Sequence, residues 1–272
     1  MIKMINQSAT DEFNVLTTTR FGRMLVNRHD VYIGRSLIVY GEYSWGEIEI
    51  FTQLIQPGHV VIEAGANIGA HTVPLSRLAG EGGRVLAFEP TRLTFQLLNA
   101  NIALNQCSNV VAVNAIVGDT SGHALAPDID PEQSNNFGGL SMIGLEHGER
   151  VPVQTIDGLD LARCNFIKAD VEGMEMDVLK GAVDTLSKHR PLLYVENHNR
   201  ESSVELIEYI QRQGYKLWWH TPSLFNPENY RGIAVDVFEG VVSSNMICIP
   251  EELKMNVTDL RPVKGSDEWL FD

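Results

Sequence analysis

One alternation dominates the chain. Compact apolar runs, "HVVIEAG" (59–65), "RVLAFEP" (84–90), "NVVAVNAIVG" (109–118), "NFIKAD" (165–170) and "PLLYVENH" (191–198), take turns with segments whose apolar residues recur at helical spacing. The expected helices are Trp45–Gln56, which Pro57-Gly58 stops, then Ile68–Leu78, Leu93–Leu104, Met174–Lys188 and Val204–Gln213. Strands "YKLWWH" (215–220) and "SNMICIP" (244–250) complete the series. A strand with one wet face alternates polar and apolar residues, whereas an unbroken apolar run is covered on both faces. Helices placed between such strands supply that cover, so the pattern predicts an α/β fold on a mostly parallel sheet.

Ahead of the alternation, "FNVLTTTRFG", "RMLVN" and "SLIVYGEY" read as short strands. They define a β-rich extension over residues 1–45, followed by one large domain over 46–272. Thr120–Arg150, rich in Gly, Asp, Asn and Pro, reads as a long irregular loop of the functional or mobile kind.

The net charge of −14 argues against a nucleic-acid partner, which needs clustered Lys and Arg. No run reaches the ~20 apolar residues of a membrane span. The opening "MIKMINQSATDEF" lacks the apolar core of a secretory leader, so a cytoplasmic location is expected. Cys107, Cys164 and Cys248 are too few and too scattered for a disulfide framework and are expected to be buried thiols. Assembly as a homo-oligomer is left open.

Ligands of an open parallel sheet bind beyond the carboxyl ends of its strands. Those ends carry Glu63, Glu89, Asn114, Asp170 with Glu172, and Glu196 followed by Asn197 and His198. A cleft walled by carboxylates suits a cation better than a phosphate. The turn "VVIEAGANIGAH" (60–71) agrees. A dinucleotide fingerprint needs glycine at offsets zero, two and five; counted from Gly65, those places hold Gly65, Asn67 and Ala70. S-adenosylmethionine, with a sulfonium, an ammonium, one carboxylate and no phosphate, fits the Glu-x-Gly-x-Asn-x-Gly spacing. Gly65 and Gly69 would let the backbone approach its amino-acid portion, Glu63 would balance its charge, and Glu89 would accept from both ribose hydroxyls. The bland alternatives are a tight strand-to-helix turn for the glycines and a helix-capping acid for Glu89.

"EAGANIGAHT", "AFEP", "NNFGG", "IKADVEGMEMDVLKGA" and "YVENH", in that order between Gly41 and Pro250, resemble the FkbM-type family of S-adenosylmethionine-dependent methyltransferases. The resemblance implies a class I methyltransferase fold (Rossmann-like), with seven strands and the last one antiparallel and inserted beside the sixth. It implies methyl transfer to a hydroxyl of a small molecule or sugar. Carried over by position, Glu63, Ala64, Gly65, Ala66, Asn67 and Gly69 line the methionine end. Glu89 and Pro90 hold the ribose, Asn114 and Ala115 flank the adenine, and Asp170 and Glu172 face the transferred methyl group. The family commonly has Asp at the place of Glu63, and "GEYEP" where this chain reads "GEYSWGE", which shifts a possible second acid to Glu47.

A hydroxyl is a weak nucleophile and must lose its proton as it attacks. Asp170 and Glu172, two apart at a strand end, can share a cleft, where like charges raise one pKa and improve that carboxylate as a base. His198 is an alternative base. A divalent cation held by Asp170, Glu172 and Glu196, with His198 also in reach, would lower the hydroxyl pKa instead. Asp170, Glu172 and especially Glu175 also suit the start of the next helix. For the acceptor, Asn136 and Phe137 of "NNFGG" form a lid or a simple turn, and Glu196 and Tyr230 are candidate contacts. Trp218, Trp219 and Phe225 are either core or pocket wall, and His71 is packing or a cofactor contact. The competing readings are a nicotinamide-dependent oxidoreductase or epimerase and a non-catalytic cofactor-binding module.

Overall fold

A computed structural model describes residues 12–267 and 269–270. The chain enters through an antiparallel hairpin, β1 (Asn14–Thr19) and β2 (Gly22–Asn27). Next come α1 (Ile33–Val39) and α2 (Trp45–Leu54). "SLIVYGEY", expected as a strand, is therefore helical over most of its apolar part. Asp30 decides this: its carboxylate accepts from the amides of Tyr32 (3.2 Å) and Gly34 (2.8 Å), which orients the first turn. Ile33 and Leu37, one turn apart, then pack on Met24, Val26 and Ile68.

The alternating core follows as β3 (Val60–Ala64), α3 (Thr72–Ala79), β4 (Arg84–Phe88), α4 (Arg92–Leu104) and β5 (Val110–Val113). At Asn114 the chain leaves the main sheet, because the Asn114 side-chain amide donates to the carbonyls of Glu89 (2.9 Å) and Pro90 (2.8 Å). The single strand expected over 109–118 is thereby cut in two. Its second part, β6 (Ile116–Val117), joins β7 (Gly122–Ala126) and β8 (Glu149–Gln154) in a small sheet ordered β6-β8-β7. The supposed irregular loop thus contains β7 and the start of β8.

The second half comprises β9 (Phe166–Ala169), α5 (Glu175–Lys180), α6 (Val183–His189), β10 (Leu192–Glu196), α7 (Arg200–Arg212), β11 (Tyr215–His220), β12 (Asn245–Pro250) and β13 (Arg261–Pro262). One helix was expected over Met174–Lys188, and two form. Asp157 explains the break by accepting from the amides of Asp184 (2.9 Å) and Thr185 (2.8 Å), which starts a new helix from outside. At Gly181 the backbone lies so near the Gly118 carbonyl that a Cβ would collide with it.

The main sheet runs β13-β11-β12-β10-β9-β3-β4-β5, with β12 antiparallel to both β10 and β11. This is the class I methyltransferase arrangement, with the two-residue β13 added at one edge. Helices cover both faces. Ile62, Phe88, Ile167 and Val195 fill one core, while Val61, Phe166, Tyr194, Leu75 and Phe51 fill the other. Among the described residues no helix is long and apolar enough to cross a membrane, and all three cysteines are free and buried.

A strap between β11 and β12 folds back over the sheet ends. Buried Glu42 ties it down, accepting from Arg20 (2.7 Å), Asn226 (2.7 Å) and the amide of Tyr230 (2.9 Å). The Tyr40 hydroxyl accepts from the Val237 amide (2.7 Å) and donates to the Val235 carbonyl (2.9 Å).

Candidate functional site

After β3, β4 and β5 are laid in one direction, the chain crosses to the other side of β3 to place β9. Such a reversal opens a crevice at the strand ends. Here it leads into a cavity of about 340 Å³. Gly65, at φ +84°, sits where a Cβ would strike the Asp170 carbonyl oxygen, so glycine is what lets the two strand ends meet. The amides of Gly65 (3.0 Å) and Ala66 (2.9 Å) both donate to the Phe88 carbonyl, and that of Gly69 donates to Ala66. Close backbone packing thus accounts for Gly65, and the amides of Gly65, Ala66 and Gly69 are all engaged within the turn.

The floor is polar and deeply buried. Glu63 on β3 pairs in register with Lys168 on β9, which pairs with Tyr194 on β10. Fully buried Glu63 accepts from the Thr72 hydroxyl at 2.6 Å through Oε2, while its Oε1 has no hydrogen-bond partner. Burial pushes its carboxyl up to about 7, against the opposing pull of Lys168 and Thr72. The Lys168 side chain is 1% exposed, and its Nζ lies 2.6 Å from Asp170 Oδ2. Burial works against its charge, but Asp170, Glu63 and Glu47 outweigh burial and raise its pKa. Burial likewise disfavours the Asp170 anion, and the Lys168 charge and hydrogen bond win, holding it below the ordinary carboxylate range.

Beyond Asp170 the trend reverses. Burial first, then the neighbouring Glu196 and Asp170, push Glu172 up to about 8. Burial and then Asp170 hold Glu196 well above the usual range. His198 Nδ1 is 3.2 Å from Glu196 Oε2, and its Nε2 is 3.9 Å from Glu172 Oε2. One ligand-capable atom from each of Glu172, Glu196 and His198 falls within 4.8 Å of the others. That triad differs from the expected cation set in holding His198 in place of Asp170, which Lys168 engages.

Glu89 is anchored on the opposite wall. Its Oε2 accepts from the Asn67 amide (2.8 Å), and its Oε1 from the Thr91 amide (2.9 Å) and the Thr94 hydroxyl (2.7 Å). A carboxylate offers roughly four acceptor positions, so the remaining one lies on Oε2. Asn67 also reaches the Phe137 carbonyl at 3.3 Å. Together with Asn135, which exchanges backbone bonds of 3.0 Å with His29 and Val31, this pins "NNFGG" across the cavity.

Of the residues expected from the sequence, Glu63, Gly65, Ala66, Asn67, Glu89, Pro90, Ala115, Asn136, Phe137, Asp170, Glu172, Glu196 and His198 line the cavity. Ala64, Gly69, Asn114 and Tyr230 do not line it. Asn114 buttresses the Glu89 turn from behind, and Tyr230, half-exposed, lies against Gly41 on the strap. Trp218, Trp219 and Phe225 belong to apolar clusters rather than to the cavity wall. Lys168, Tyr43, Ser243, Ser244 and Asn245, which were not among the residues expected from the sequence, also line it. Only Lys168 left a sequence signal, as the lone cation of a doubly covered strand two places before Asp170.

The sequence profile "Methyltransferase FkbM domain" matches residues 63–217. "Methyltransferase 1" of Beauveria bassiana is 29% identical over 147 residues, covering 46% of this chain and 58% of that protein. "Hexuronic acid methyltransferase AglP" of Haloferax volcanii is 29% identical over 150 residues, covering 52% and 58% respectively. The chain thus matches less than two thirds of the length of these relatives. A solved structure of methyltransferase FkbM from Methylobacillus flagellatus KT aligns with a TM-score of 0.48 at 19% identity, covering 74% of this chain and 50% of that one. Because the profile spans more than half of the 272 residues, through both strand ends that meet at the crevice, the chain belongs to the methyltransferase FkbM domain family.

Proposed function

We propose that this chain is an S-adenosylmethionine-dependent methyltransferase acting on a hydroxyl of a small molecule or sugar. One observation carries the reading. The cavity at the crevice is walled by Glu47, Glu63, Glu89, Asp170, Glu172 and Glu196, and its one lysine is engaged by Asp170. A pyrophosphate would meet carboxylates there, whereas a sulfonium and an ammonium would meet partners. The open Oε1 of Glu63 fits such a guest. The nicotinamide and non-catalytic readings both lose support from this wall: the first needs phosphate donors, and the second gives the perturbed acids no task.

When bound, the cofactor supplies an electrophilic methyl group. Glu89, fixed by its donors, presents its remaining acceptor position to the ribose. Pro90, Ala115, Ile116 and Met142 offer an apolar slot for the adenine. Asp170, kept ionised by Lys168, would face the positive sulfur. Of the groups that the sequence offers as the base, Asp170 fits least, because a carboxylate with a lowered pKa is a poor proton acceptor. Glu172, with Glu196 and His198 beside it, takes the proton that the acceptor hydroxyl loses. Two acids whose environments drive their pKa values apart divide the work in this way. Holding the hydroxyl oxygen in line with the methyl carbon and sulfur supplies the rest.

The mutual approach of Glu172, Glu196 and His198 favours a second reading of the same corner, in which they hold a divalent cation that acidifies the hydroxyl. A relative named for a hexuronic acid supports a sugar acceptor. The test is a panel of neutral and acidic glycosides and hydroxylated natural products incubated with methyl-labelled donor. An O-methyl product is expected, and label found only on nitrogen or carbon would contradict the assignment.

A further inference from the structure

Glu47 lies on α2, ahead of the segment that the family profile matches. Half of its carboxylate has a local explanation. Ser44-x-x-Glu47 is the spacing of a helix start, and Glu47 Oε1 accepts from the Ser44 hydroxyl at 2.8 Å. The other half has none. Oε2 is buried without a hydrogen-bond partner, although the Ser243 hydroxyl is close enough to help lower its pKa. Solvent does not explain the site, since Glu47 is only 3% exposed.

Two further atoms share this condition. His71 Nε2 lies 3.9 Å from Glu47 Oε2, and Glu63 Oε1 stands on β3; neither has a hydrogen-bond partner. His71 is 5% exposed and Glu63 0%. All three residues line the same cavity although they come from α2, β3 and the lead-in to α3. Tyr43 at 5.4 Å and the edge contact with Phe51 at 5.5 Å hold the His71 ring in place. Burial and the Lys168 charge push His71 down to about 3, so it is neutral and brings no competing charge. Unpaired buried polar atoms are costly and rare, and a convergence of three points to a ligand that satisfies them. Two carboxylate oxygens and one neutral imidazole call for a group with several N–H donors and a positive charge.

The donor molecule carries such a group at the end remote from its adenine. β3 and β4 are neighbours in the sheet, so with the ribose at Glu89 that end would come within reach of Glu63. The geometry points to Glu47 as a cofactor-binding residue that accepts from the α-ammonium of the donor, with Glu63 as the second acceptor. This inference rests on the proposed methyl-donor reading.

The test compares two nucleosides by calorimetry: S-adenosylhomocysteine, which keeps the amino-acid tail, and 5′-methylthioadenosine, which lacks it. Glu47→Gln is expected to weaken S-adenosylhomocysteine by about tenfold or more, as for a charge-assisted hydrogen bond, and to leave 5′-methylthioadenosine unchanged. Ser44→Ala, which removes the helix-start contact and keeps the carboxylate, is expected to retain affinity for both. On the wild-type protein, a homocysteine analogue without the amino group is expected to bind about tenfold or more weakly. This last arm needs no variant to fold. Equal loss of both nucleosides in Glu47→Gln would mark a structural role and overturn the inference. Full retention of S-adenosylhomocysteine would overturn it too. Failure of the wild type to bind either nucleoside would instead defeat the methyl-donor reading itself.

Discussion

Lys168 and Asp170, two residues apart across the end of β9, are joined by a 2.6 Å ion pair whose lysine is 1% exposed and whose aspartate is 32% exposed. The lysine sits inside the sheet and the aspartate at the cavity wall. The buried lysine therefore keeps one carboxylate of the rim ionised among several that burial tends to neutralise.

Removing that charge should be expensive. Lys168→Met leaves Asp170, Glu63 and Glu47 without their common counter-ion, and breaking a buried pair from one side costs about 3 kcal/mol or more. Urea unfolding of the variant should show that loss. A stability within about 0.5 kcal/mol of wild type would mean that the lysine is not holding the acids together.

Glu63 predicts a pH dependence with a definite sign. Its carboxyl is raised from 4.5 to about 7, so between those values the folded protein holds a proton that the unfolded chain releases. Stability contributed by this group is therefore present below about 4.5 and is lost as pH rises toward about 7. Glu63→Gln should gain stability relative to wild type across that window when thermal midpoints are compared in steps of pH. A difference that does not vary with pH would contradict the assignment.

Gly65→Ala should fail for steric reasons. The new Cβ would meet the Asp170 carbonyl at a residue with φ +84°. Strain of this kind costs about 1–3 kcal/mol before any displacement of β9 is counted. Thermal unfolding measures it, and a neutral substitution would mean that the two strand ends are not in contact.

Glu172→Gln should lower turnover by about 10²- to 10⁴-fold while leaving cofactor affinity intact, as expected for loss of a general base. The same assay separates the two readings of the corner. The acid–base reading predicts unchanged turnover after chelation, whereas activity lost to chelator and restored by Mn²⁺ would assign Glu172, Glu196 and His198 to a cation.

Much of this architecture is legible in the residues. β3, β4, β9 and β10 announce themselves as apolar runs ending on acids, and those acids are what the cavity gathers. What stayed hidden was decided by partners distant in sequence. Asp157 starts α6 from outside, and the approach of Gly118 to Gly181 breaks the helix that periodicity draws as one. β7 and β8 pair across a long intervening segment that carries no pattern of its own. α1 was obscured by its β-rich composition, which the Asp30 cap overrides. Tyr230 looked available from its position near the last strand, yet the strap turns it toward Gly41. Lys168 was hidden by its apolar neighbours, although a cation in a doubly covered strand demands an acid close by.

Calorimetric titration with S-adenosylhomocysteine and, in parallel, with NAD⁺ and NADH tests the central claim most directly. Saturable one-to-one binding of the first, and no heat from either dinucleotide, is the predicted result. Tight binding of a dinucleotide with none of S-adenosylhomocysteine would contradict it.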